Sequence, residues 1–143
     1  MLHGDDSLIY LFVLFEQIYA FRFFYQHQRD IIQRVPELES RYKRLLKRKH
    51  DNACALLQHL QDQGAIEISE EEKNELSENI VLVQTYWWSY IDLRDIRVDE
   101  QLSLHRGVAQ IVSLVAPFLA TDYRYMYTNF RDMYRQKMGE GWG

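Results

Sequence analysis

The stretch SEEEKNELSENIVLVQTYWWSY, residues 69–90, decides the fold. Ser69 followed three residues later by Glu72 is the spacing of a capping box, in which each side chain satisfies the other residue's backbone N–H. Beyond that start no glycine or proline interrupts the segment. Leu76, Ile80, Val83, Trp87 and Tyr90 recur at three- and four-residue intervals, the period of one helix face. Leu82, Tyr86 and, further on, Leu93 make a second apolar stripe on the same helix. A helix apolar over so much of its circumference is covered on more than one side. Tyr86, Trp87, Trp88 and Tyr90 surround the helix with aromatic rings, which either fill a core or line a cavity or a second protein surface.

Working outward, the same period marks four more helices. Upstream, a helix runs from about Ser7 to near Arg34. Leu8, Phe12, Phe15, Tyr19 and Phe23 form one stripe, with Leu11, Leu14, Ile18, Phe21 and Tyr25 beside it. It reads as the central helix. Pro36 breaks the pattern, since the residue before a proline avoids helical angles, and then suits the first turn of the next helix. Leu38, Tyr42, Leu45, Ala53, Leu56 and Leu60 carry that helix's buried face, up to a cap at Gly64. Downstream, residues 92–99 are charged and irregular. A fourth helix spans about Asp99 to Leu119, with Leu104, Val108, Ile111, Val115 and Phe118 inward, and Pro117 bends or ends it. Beside that face Ala109, Ser113, Ala116 and Ala120 form a small-residue stripe that suits close helix packing. Thr121 can cap a fifth helix bearing Tyr123, Met126, Tyr127, Phe130 and Tyr134, and the tail 139–143 is loose. The expectation is one all-α domain over residues 1–143, a bundle of about five helices. Six glycines and two prolines in 143 residues agree with it, because sheet proteins need more turn residues.

Charge and chemistry narrow the function. The formal net charge is −4, the wrong sign for a nucleic-acid binder. Cys54 is the single cysteine, which excludes an internal disulfide and fits a reducing cytoplasm. Residues 8–25 are apolar but interrupted by Glu16 and Arg22 and preceded by Gly4, Asp5, Asp6 and Ser7, so they read as a core helix rather than a membrane span or signal peptide. No phosphate loop, nucleophile elbow or zinc-protease motif occurs, and the reading expects no enzyme and no cofactor. His50 and Cys54 share a helix face, but two ligands do not make a metal site, and none is expected. Six bases lie between Arg41 and Lys49; they read as a solvated helix face, partly neutralised by acids such as those at 70–72. Arg22 among Phe21, Phe23, Phe24 and Tyr25 needs a partner, and could anchor an acidic ligand headgroup.

Four segments carry a family resemblance: FRFFY at 21–25, PELESRYKRLL at 36–46, NIVLVQTYWWSY at 79–90 and GVAQIVSLVAPF at 107–118. In that order they are similar to the C-terminal domain of certain TetR-type transcriptional repressors, over about residues 8–120. The resemblance implies an all-helical effector domain that dimerises through a four-helix bundle, two helices from each subunit. It also implies an internal pocket for a small, hydrophobic or acidic-amphipathic effector, whose binding shifts a population between operator-bound and released states. The family's helix-turn-helix head has no counterpart in these 143 residues, so DNA contact is expected only through a missing N-terminal domain. Candidate pocket residues are Phe15, Tyr19, Arg22, Phe23, Tyr86, Trp87 and Tyr90. Candidate dimer residues are Leu82, Ser89, Ala109, Val112, Ser113 and Ala116, on helices of about 72–94 and 100–120, either of which the fifth helix could displace. A stand-alone carrier of hydrophobic ligands, or a helical adaptor, is the competing expectation.

Overall fold

The computed structural model describes residues 28–96 and 99–138. Among the described residues five helices follow one another: α1 (Gln28–Arg34), α2 (Glu37–Asp62), α3 (Glu70–Leu93), α4 (Glu100–Val115) and α5 (Thr121–Met138), with a 3-10 turn at Ala116–Phe118 between the last two. The described chain is all-α. The expected central helix from about Ser7 lies outside the described residues except for its last turns, which form α1; Phe15, Tyr19, Arg22 and Phe23 lie outside with it.

Local chemistry accounts for the helix ends. Pro36 opens α2, and its carbonyl accepts from the Glu39 amide at 3.1 Å. At the other end Gly64 takes the left-handed conformation, φ +76°. Its amide donates to Gln61 and the Ala65 amide to Leu60, both at 2.9 Å, the paired bonds of a Schellman motif. The capping box is present in α3: Glu72 N donates to Ser69 Oγ, and Ser69 N to Glu72 Oε1, each at 3.1 Å. The same Schellman device ends α3 without a glycine. Asp95 stands at φ 54°, its amide bonded to Asp92, while the Ile96 amide reaches Ile91. Asp99 caps α4 through Oδ1, which accepts from the Leu102 amide at 2.7 Å. Two expected ends move. The helix read to about Leu119 stops at Val115, because Pro117 cannot continue the backbone ladder and the chain tightens into the 3-10 turn. Thr121 is the first helical residue of α5 rather than its cap; the Ala120 carbonyl accepts from Arg124 instead.

The core is a layer shared by α2, α3 and α4. Ala53, Leu57 and Leu60 face Leu76, Ile80, Trp87, Trp88 and Ile91, and Leu104, Val108 and Ile111 close the far side. Complete burial of a leucine or isoleucine contributes about 1.5–3 kcal/mol relative to exposure, so this layer dominates the stability. Polar bonds fix the α2–α3 seam. Lys73, 6% exposed, donates from Nζ to Gln58 Oε1 at 2.5 Å and to Glu70 Oε1 at 2.7 Å. The Cys54 thiol bonds to Ser77 Oγ at 3.1 Å. At the base of the bundle Ile66 and Leu119 form a two-residue antiparallel bridge, reinforced by Glu67 N to Phe118 O and Ala120 N to Ala65 O, both 2.9 Å. No helix among the described residues is long and apolar enough to cross a membrane.

Candidate functional site

The two apolar stripes of α3 have different fates. The stripe of Leu76, Ile80 and Trp87 is core, whereas Leu82 is 49% exposed, Tyr86 48% and Leu93 88%. These three lie at i, i+4 and i+11, one line along the outer side of the helix. Toward the start of α3 the same side carries Glu71, Glu75 and Glu78, all exposed. The outer face is thus acidic in its first half and apolar in its second. Ser89 lies between the apolar members, half-buried.

The aromatic cluster is divided between interior and surface. Trp87 Nε1 donates to the Ser103 carbonyl at 2.8 Å, which locks α3 to α4 and makes this ring a packing element. Tyr90 stacks on Trp87 with centroids 6.0 Å apart and an interplanar angle of 27°. The Arg94 guanidinium lies 5.7 Å from the Tyr90 ring centre and donates to the tyrosine hydroxyl at 3.1 Å. Burial first, and then the neighbouring Arg94 charge, hold the Arg106 guanidinium below its usual pKa.

Tyr86 borders a hollow. The hollow, of about 710 Å³, opens at the corner between α1 and α2. Ile32, Pro36, Tyr42 and Tyr86 supply its apolar walls, and Arg29, Gln33 and Glu39 its polar rim. Most of these side chains are exposed; Ile32 is half-buried and Tyr42 buried, so the hollow is a surface feature with an aromatic floor. Glu39 already pairs with Lys43 at 3.1 Å. The hollow gave no signal in the sequence, because it is made where the short α1 meets two long helices, α2 and α3.

In the small-residue stripe of α4 and the turn after it, Ala109, Ala116 and Ala120 are half-buried and Ser113 is exposed, its hydroxyl returned to the Gln110 carbonyl at 2.6 Å; Val112, also half-buried, packs against the core. The basic run on α2 is a solvated face: Arg41, Lys43, Arg44, Lys47 and Arg48 are exposed. Its neutralising acids are Glu39 and Asp51 on the same helix, 3.1 and 3.0 Å from Lys43 and Lys47. The acids at 70–72 do not serve it; Glu70 bonds Lys73 and Glu72 the Ser69 amide. Cys54 Sγ is 3.8 Å from His50 Nδ1, and no group of three metal-ligating side chains converges among the described residues.

Comparison with known proteins agrees with this architecture. A crystal structure of a TetR-family transcriptional regulator from Marinobacter aquaeolei VT8 is similar over 93% of this chain, with a TM-score of 0.81 and 24% sequence identity. The chain spans 64% of that regulator's length. No curated protein matches. The family model described as TetR, bacterial transcriptional repressor, matches residues 3–127. A match over that span, on an all-helical bundle, places this chain in the TetR family of bacterial transcriptional regulators.

Proposed function

We propose that this chain is the ligand-sensing and dimerising part of a TetR-family regulator, with DNA read by a helix-turn-helix unit outside these 143 residues. The observation that carries the reading is the outer face of α3, where Leu82, Tyr86 and Leu93 stand exposed in line. Contiguous apolar surface of this kind on a soluble domain marks an interaction site. The division of the face favours a second copy in antiparallel array. A twofold axis near Tyr86 and Ser89 lays apolar half on apolar half and keeps Glu71, Glu75 and Glu78 of the two copies at opposite ends. The small residues Ala109, Ser113 and Ala116, with Val112 beside them, let α4 approach its mate closely, completing a four-helix contact. The effector is a small hydrophobic or acidic-amphipathic molecule held against the aromatic side chains around Tyr86, and its binding biases the arrangement of the paired subunits.

Sedimentation velocity tests the association. The chain should be a dimer at micromolar concentration, and Leu82→Glu, which buries an unpaired charge in the contact, should weaken it at least about tenfold, equivalent to about 1.4 kcal/mol. A chain that is monomeric throughout, or a Leu82→Glu protein that associates as well as the parent, would overturn the reading.

A further inference from the structure

We propose that the hollow at the α1–α2 corner is half of a ligand site, and that its missing wall is a second copy of this chain. The inference rests on the dimer reading above and adds where the ligand sits relative to the contact.

Three observations converge on it. First, the hollow is large enough for a small organic molecule yet open along one side. Arg29, Gln33, Pro36, Glu39 and Tyr86 around it are all exposed. Sites that retain apolar ligands bury most of the ligand surface, and a hollow of this shape does not do so unaided. Second, Tyr86 belongs to two surfaces at once. Its ring is a wall of the hollow, and it stands one helical turn from Leu82 on the outer stripe of α3. A subunit pressed on that stripe therefore meets the hollow's α3 edge. Third, the polar equipment of the hollow is unequal. The Glu39 carboxylate is engaged by Lys43, whereas Arg29 has no acidic partner among the described residues. With the Tyr42 and Tyr86 rings and the Ile32 and Pro36 side chains as walls, the fitting ligand is a small ring-bearing anion.

A site completed across a twofold axis binds ligand in the dimer and not in the separated subunits. Ligand then tightens the dimer, and dimerisation tightens ligand binding by the same factor. The regulated quantity is subunit association and geometry, sensed at the contact itself.

The test uses the full chain carrying Cys54→Ser and Gln33→Cys, labelled at residue 33 with the polarity-sensitive dye acrylodan, which itself supplies an apolar occupant. A second protein carries the dye on Glu67→Cys, at the opposite end of α3. Emission is followed by dilution through the monomer–dimer transition, with sedimentation velocity on the same samples and circular dichroism to verify helicity. The residue-33 dye should move to shorter wavelength on dimerisation, and the residue-67 dye should not. Association lost on labelling residue 33 but kept by the unlabelled Gln33→Cys protein supports the same placement, by steric exclusion. A dimer whose residue-33 emission equals that of the monomer, or shifts no more than residue 67, overturns this inference while leaving the dimer intact. A chain monomeric at every concentration overturns both readings, and sedimentation tells the two failures apart.

Discussion

Lys49 stands on a helix whose other cations face water, but it is itself half-buried, and loss of solvent lowers its ammonium pKa from 10.5 to about 8. The sign of the consequence follows from which state holds the proton. Below pH about 8 both folded and unfolded chains are protonated at Lys49, and folding carries the cost of burying charge. Between about 8 and 10.5 the folded chain has shed the proton and the unfolded chain has not, so stability rises with pH and levels off above that window. Lys49→Met should flatten this rise and lift the melting temperature at neutral pH; urea melts across the window measure it, and an unchanged slope in the variant would sink the account. Single residues are where the sequence was least legible. Trp87 and Tyr86 are neighbours with equal claims on a pocket, yet one locks α3 to α4 and the other borders the hollow. Their separation is 100° of helix, and only the packing of α2 and α4 against α3 decides which direction is interior. Likewise Leu57, wholly buried, falls beside the stripe assigned to the inner face of α2.

At the scale of an element, legibility was high wherever the cause is local. Ser69 with Glu72, Gly64 and Asp99 each act within four residues of themselves, so the signal and the structure share one short window. Ser69→Ala removes one oxygen from the capping box, leaves the Glu72 amide without its partner, and should cost about 1 kcal/mol, read as a fall in the denaturation midpoint with unchanged slope. A variant as stable as the parent would show that water replaces the cap at no cost. Of the two misplaced ends, that of α4 has a local cause in Pro117, whereas the start of α5 has a long-range one. Thr121 has a side chain suited to capping, but the Ala120 amide is held by the Ala65 carbonyl, and the helix starts from that fixed point.

For the whole molecule, the all-helical class and the family were readable, because periodicity and segment order are properties of the chain. Which faces remain uncovered was only partly so. Two stripes on α3 were evident, but that one would be core and the other exposed depends on how α2 and α4 divide the helix between them. The proposed pairing also has an electrostatic signature. Each copy carries a formal charge of −4, so two copies repel, and the acids of α3 add to this even at the ends of an antiparallel contact. Added salt screens that repulsion and leaves the apolar contact in place. The dimer should therefore tighten as ionic strength rises, measured by the sedimentation dissociation constant; loosening would point instead to a contact held by opposite charges.

The short bridge between Ile66 and Leu119 joins parts of the chain that are far apart in sequence. It turns α2, α3 and α4 into a closed circuit, with the α2–α3 bend and the α4–α5 bend clasped at one point. A displacement at the start of α5 would thereby be felt at the root of α3, the helix whose outer side we propose as the dimer contact. On that proposal the last described helix is tied to the contact rather than trailing behind it.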